Sequence, residues 1–274
     1  MGIMKYAHPA TETQEDRLDP ARARAFQVAL GQVPDIEQDS PLPPFFHQLY
    51  FWSPQTPEGL GRDGHPRLGT GLIPDLGLPR RMWAGGRLGF AHELLAGVPA
   101  MRQSTVETAE HKHGRSGPLA FVTLRHEYRQ GDRVCLTEWQ DLVYRQDPSH
   151  DTARPEPPEA RTDETDLREV NFDSTVLFRY SALTFNGHRI HYDLDYAREV
   201  EGYAGLVVHG PLLAQHLMLM ARDLIGPLAQ FSFRAVSPLM HSEFASLCRH
   251  DTDLWVRGPD GRLVMKANAV PRLA

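Results

Sequence analysis

Cysteine is nearly absent from this chain. Cys135 and Cys248 are its two thiols, far apart and outside any CxxC or Cys-His ligand spacing. That argues against a disulfide scaffold and a structural zinc, and makes a reducing compartment the default. Also lacking is an apolar run of about 18 residues, the length a membrane-spanning helix needs. The opening MGIMKYAHPATETQEDRLDP turns polar and acidic before the apolar centre of a signal peptide can form. Gly2 lacks the Ser or Thr four positions on that a myristoylation signal wants. The expectation is a soluble, cytoplasmic protein without a membrane partner. A block of one charge is missing too, since 29 basic and 35 acidic residues are interspersed to a net −6. Nothing in that surface suits a phosphate backbone, so nucleic acid is disfavoured as a partner.

What is present is enough to fill real cores: 41% of the 274 residues are apolar, the composition of a globular protein. The length allows two domains of roughly 120–150 residues. The clearest linker is DPSHDTARPEPPEARTDETD, which has several prolines and no apolar periodicity. It sets an N-terminal unit at 1–146, a linker at 147–166 and a C-terminal unit at 167–274.

Within the first unit, Asp19-Pro20 and the following ARARAFQVALG predict a helix ending at Gly31. Residues 34–81 are rich in Pro and Gly and read as loop, with Phe45, Phe46, Tyr50, Phe51 and Trp52 packed over something. MRQSTVETAEHKHG reads as a strand, and the runs on either side of Gln130-Gly131-Asp132 as a hairpin. In the second unit, STVLFRYSALTF reads as a strand up to Asn186-Gly187. PLLAQHLMLMARDLIG is the strongest helix, with Pro211 suited to its first turn and Gly226 to its stop. Three strand runs follow it, with a turn at Gly258-Pro259-Asp260-Gly261. Strand, long apolar helix and antiparallel strands make an α+β unit with the helix laid on a sheet. The first unit offers a weaker copy of that order, in which Gly89 to Ala100 would be the central helix.

Chemistry concentrates in FNGHRIHYDL and GLVVHGPLL. His188 and His191 are three apart and would share a helix face, but Asn186-Gly187 argues for a turn and no carboxylate completes a ligand pattern, so no metal is expected. Imidazole titrates near neutrality, so His191 is a candidate general base, with Tyr192, Asp193 or Asn186 available to fix its tautomer or hold a water. The bland alternative is a buried histidine satisfied by a backbone carbonyl. His209-Gly210-Pro211 stands where the long helix begins, and free amides there could receive a developing oxyanion. Equally, Gly210 could simply turn the chain into the helix.

The segment from Tyr180 through Asp193, followed by GLVVHGPL, resembles the signature of the MaoC-like, hotdog-fold enoyl-thioester hydratases and dehydratases. By that resemblance His191 matches the catalytic histidine, Asn186 stands where the family has a catalytic aspartate, His188 stands at an asparagine position, and Gly210 matches the oxyanion glycine. Thr184, Asn186, His188, Arg189, Ile190, His191, Tyr192 and Asp193 are similar to the subgroup of mesaconyl-C4-CoA (3-methylfumaryl-CoA) hydratases and mitochondrial-type 3-hydroxyacyl thioester dehydratases. So is the WAGG segment, in which Trp83, Gly85 and Gly86 become candidates for substrate binding.

The resemblance implies a double hotdog fold, each unit an antiparallel sheet around a central helix, and reversible hydration of an enoyl-CoA without a cofactor. His191 would be the base, Asn186 would orient water, and the Gly210 amide would hold the thioester oxygen. His188, His209, Tyr192 and Asp193 would support the site, and Arg189 could meet an acyl carboxylate. The alternatives are a straight-chain 3-hydroxyacyl-ACP or -CoA dehydratase, a non-catalytic acyl-thioester-binding protein and a thioesterase. The last would want a carboxylate on the long helix, which has only Asp223 near its end. A homodimer is expected.

Overall fold

The structure is a computed structural model that describes residues 11–114, 117–147 and 156–273. Among the described residues ten strands form one antiparallel sheet in the order β1-β3-β4-β5-β2-β7-β10-β9-β8-β6. The strands β1 (Thr11–Arg17), β2 (Arg80–Phe90), β3 (Pro99–Gly114), β4 (Gly117–Gln130) and β5 (Arg133–Arg145) occupy one half. The other half holds β6 (Asp166–Asn171), β7 (Leu228–Ala235), β8 (Phe244–His250), β9 (Asp253–Arg257) and β10 (Leu263–Pro271). The halves meet at β2 and β7, paired from Gly85 opposite Arg234 to Gly89 opposite Gln230. Of the expected linker, residues 148–155 lie outside the described residues. Its later part is held against the turn before β10, with Ala160 N–H donating to the Gly261 carbonyl (2.9 Å) and Leu263 N–H to that of Pro158 (2.8 Å).

The helix α3 (Gly210–Ile225) forms as its sequence predicts, with Pro near its start and Gly226 at φ +85° ending it. It packs on β7, β9 and β10. Leu212, Leu217, Met218 and Met220 are wholly buried, and burying a side chain of that size stabilises by roughly 1.5–3 kcal/mol. A helix apolar on most faces belongs in a core, which is where it sits.

Two expectations are corrected. Residues 174–185 are not a strand: Ser174–Thr184 form α2, because the Asp173 side chain accepts from Val176 N–H as an N-cap. Leu177, Tyr180 and Ser181, spaced three and four apart, then face the core. Nor are residues 89–100 a central helix. Gly89 and Phe90 finish β2 opposite Thr137 and Leu136, and Gly97 turns the chain at φ +76° into β3. The first half of the sheet is covered instead by α1 (Pro20–Ala29) and the aromatic loop. Phe26, Phe45, Phe46, Leu49 and Phe51 are buried with Tyr128 and Leu136 in one core. Phe51 and His47 lie against the Tyr128 ring at 5.5 and 4.6 Å.

Candidate active site

The end of α2 is shaped to turn the chain at once. Phe185 takes the left-handed conformation at φ +52°, its ring stacked on Trp52 at 4.9 Å. Asn186 N–H donates to the Ser181 carbonyl at 2.8 Å. The Asn186 Oδ1 accepts from His188 N–H at 3.0 Å, an Asx turn. A single 3-10 turn, Arg189–His191, follows. It is clamped by Arg189, which donates through Nε and Nη2 to Asp193 at 3.0 and 2.7 Å. Asp193 also accepts from Tyr196 N–H, and the Tyr192 hydroxyl donates to the Gly187 carbonyl, at 3.0 and 2.9 Å.

None of these three side chains bonds to His191 itself: Arg189 pairs with Asp193, and Asp193 and Tyr192 hold the turn that carries it. His191 instead donates its Nδ1–H to the main-chain carbonyl of Val207 at 2.7 Å, which leaves Nε2 with its lone pair free. The bland reading of a carbonyl-satisfied histidine is thus half right: the carbonyl is there, and it sets the tautomer a base needs.

Around His191 the imidazoles form a cluster. The His209 ring stacks on it at 3.5 Å and 20°, and Ser181 Oγ shares a 2.9 Å hydrogen bond with His209 Nε2. His209 Nδ1 is buried with no hydrogen-bond partner among the described residues. The His188 ring meets that of His191 edge-on at 5.3 Å. Burial, which disfavours the charged ring, pulls His191 down to about 3 and, with its neighbouring rings, His188 down to about 2. All are neutral at physiological pH.

A second loop completes the cluster, one that sequence reasoning passed over because it lies inside the stretch read as plain loop. His65 packs on the His188 ring at 4.3 Å, and its Nδ1 hydrogen-bonds Asp63 Oδ2 at 3.0 Å. Burial pushes the Asp63 carboxyl up, but the His65 bonds and charge outweigh it and hold the group at about 2. The loop docks by main-chain contact. Arg189 N–H donates to the Asp63 carbonyl at 2.9 Å. Gly64, at φ +85°, lies so close that a Cβ there would stand 2.0 Å from the Gly187 carbonyl oxygen. The signal in the sequence was a His two residues after an Asp with glycine between, which only the docking makes meaningful. One ligand atom each from Asp63, His65 and His188 lie within 4.8 Å of one another. A divalent cation could draw such a set together, while the Asp63–His65 hydrogen bond satisfies two of its members without one.

Gly210 opens α3, and its N–H has no partner among the described residues. A Cβ there would meet nothing closer than Met265 at 4.0 Å, so the space on the side-chain side of Gly210 is open. Asn186 Nδ2 likewise has no partner among the described residues. Trp83, Gly85 and Gly86 lie elsewhere, at the seam between the half-sheets. The Trp83 indole donates to the Gly85 carbonyl at 2.9 Å. A Cβ on Gly85 would stand 2.5 Å from the Phe233 carbonyl oxygen, so closeness of the β7 backbone explains the small residue there without a ligand.

A family model described as hydroxyacyl-thioester dehydratase type 2 matches residues 45–241, a span that contains both docked loops and the whole imidazole cluster. The chain belongs to that family. It is 44% identical over 265 residues, 94% of each chain, to a mesaconyl-C(4)-CoA hydratase of Chloroflexus aurantiacus. Its fold is similar to the crystal structure of HtdX of Mycobacterium tuberculosis (TM-score 0.68, 17% identity, 96% of this chain and 100% of that one). A second M. tuberculosis protein, described as having a double hotdog fold, aligns with a TM-score of 0.60 at 12% identity over 96% of each chain. The two half-sheets joined at β2 and β7 are that double hotdog. The chain is a hydro-lyase, as its family is, and among its described residues no helix is long and apolar enough to cross a membrane.

Proposed function

We propose that the chain adds water reversibly across the double bond of an enoyl-CoA thioester, and that its substrate is mesaconyl-C4-CoA (3-methylfumaryl-CoA). The observation that carries the reaction is the Nδ1 bond of His191 to Val207, which aims an unprotonated Nε2 away from the backbone. The 44% identical hydratase supports the substrate.

In the hydration direction His191 Nε2 takes a proton from water as the oxygen bonds to the β-carbon. The π electrons move through the α-carbon onto the thioester oxygen. The Gly210 amide, at the positive end of α3, receives that charge. The imidazolium then returns its proton to the α-carbon, so that one H and one OH are added and the base is regenerated. Burial lowers the basicity of the free imidazole. The imidazolium and the enolate form together, however, and in a dry site each stabilises the other.

Asn186 cannot transfer a proton. With its Oδ1 holding the turn, its Nδ2–H group donates to the water oxygen, which refines the expected role from acceptor to donor. His188 and His209 position the base from its edge and its face.

The same reading includes units at 1–146 and 167–274, supported by the segregation of their strands to opposite halves of the sheet. It includes a cytoplasmic setting, supported by two buried free cysteines. Open edges at β1 and β6 support homodimerisation. A straight-chain 3-hydroxyacyl thioester dehydratase is the second reading, favoured by the family description, and it would use the same residues.

Loss of enoyl absorbance on mixing with mesaconyl-C4-CoA tests the proposal. His191→Ala should slow it by about 10²–10⁴-fold. An unchanged rate removes His191 as the base, and release of free CoA would mean a thioesterase.

A further inference from the structure

The proposed substrate brings a charge that the imidazole cluster cannot balance. In a 3-methylfumaryl thioester the β-carbon, where water adds, carries both the methyl group and the free carboxylate. The anion therefore sits one bond from the reacting carbon, beside His191, and needs a cation close to the cluster. Most guanidiniums there are already engaged. Arg62 pairs with Asp147 and Arg189 with Asp193. Arg80 is buried against Glu201 at 2.7 Å and donates to the Tyr203 hydroxyl.

Arg81 differs. It is half-buried on β2 and has no ion pair among the described residues. Its charge is felt by both His65 and His188, adding to the effect of burial in lowering each. Directly across the strand pair stands Tyr144, whose side chain is fully buried and whose hydroxyl faces the Arg81 guanidinium without a well-formed hydrogen bond among the described residues. Guanidinium and hydroxyl thus sit side by side with donor capacity left over on both. Arg81 and Tyr144 both line a cavity of about 290 Å³ that also borders Pro66, beside His65. Leu68, Leu72 and Ile73 give it an apolar wall.

We propose that the Arg81 guanidinium and the Tyr144 hydroxyl bind the free carboxylate of the acyl chain, and so select dicarboxylic enoyl thioesters over simple ones. Arg81 offers the forked donors that match a carboxylate, Tyr144 adds a third, and Leu68, Leu72 and Ile73 accept the methyl side of the chain. The role once assigned to Arg189 passes to Arg81.

The inference rests on the mesaconyl reading, and the test separates the two. Hydration of mesaconyl-C4-CoA and crotonyl-CoA is measured for the wild type, Arg81→Met, Arg81→Lys and Tyr144→Phe, and the ratio of kcat/KM values is compared. The ratio should fall about a hundredfold in R81M and about tenfold in Y144F, mainly through KM for the dicarboxylic substrate, with R81K between them. A crotonyl-CoA rate in each variant reports that it has folded. If the wild type hydrates mesaconyl-C4-CoA and R81M keeps the same ratio, this proposal fails while the substrate reading stands. Equal loss on both substrates in R81M and R81K also overturns it. A wild type that hydrates crotonyl-CoA but not mesaconyl-C4-CoA overturns both.

Discussion

Replacing Gly64 with Ala tests whether the docking of the 61–67 loop builds the site. The new Cβ would stand 2.0 Å from the Gly187 carbonyl oxygen, and because both loops are held by their main chains there, one must move. The cost is capped by what the loop gives up when it lifts. Two hydrogen bonds go, from Arg189 N–H to Asp63 and from Arg189 Nη1 to the Arg62 carbonyl (2.9 and 3.2 Å), at about 1 kcal/mol each. The left-handed backbone adds about 1–2 kcal/mol for any residue with a Cβ.

The sum is about 3–4 kcal/mol. At about 2–4 °C per kcal/mol for a chain near this size, the melting temperature should fall by about 10 °C. Gly31→Ala is the control. Gly31 has φ +72° and nothing within 4 Å of its added Cβ, so it keeps the backbone cost and loses no contact, a drop of about 4 °C. Thermal unfolding and the enoyl-CoA hydration rate are measured on both. G64A should also lose at least about tenfold in kcat, since His188 loses the His65 ring that packs it. If G64A matches G31A in melting point and rate, the loop is not part of the site.

Acidification should destabilise the chain strongly. Burial lowers His191 to about 3, and His126 and His216 to about 4, against ~6.5 in the unfolded chain. The unfolded state therefore binds more protons below ~6.5, and stability falls with pH by about 1.4 kcal/mol per unit for each ring until its folded value is reached. Urea melts at pH 7.5 and 5 should differ by several kcal/mol, and a flat profile would sink the assignment of these rings as buried and neutral. Chelation with EDTA should leave the hydration rate unchanged, because Asp63 and His65 already satisfy each other. Loss of activity restored by zinc would instead make Asp63, His65 and His188 a metal site.

The sequence made α3, the β4/β5 hairpin and the His191–Gly210 pair legible because each carries a local cause: proline and glycine at helix ends, a Gly in the turn, and a motif whose spacing the chain can close on itself. It misled at 174–185, where Val176, Phe178 and Tyr180 favour strands by type, but Asp173 caps a helix and the burial has a helical period. It was silent on β1, a polar edge strand whose TETQEDR has no apolar face to betray it. Asp63, His65 and Arg81 were invisible for a different reason. Their meaning is the company they keep across more than 100 residues of chain, from 63 and 81 to 188. Arg189 was the reverse case, close in sequence to the base yet claimed by Asp193 four residues on.

The acceptor that fixes His191 is a main-chain oxygen at Val207, and this has a consequence for how the enzyme can change. No substitution at position 207 deletes that acceptor, so drift there cannot unset the tautomer as loss of a carboxylate partner would. The ring's chemistry is insulated from single mutations on that side, and equally cannot be tuned from it. Variation in rate or pH response must enter through the ring's other neighbours, His188 at its edge and His209 on its face, the latter held by Ser181.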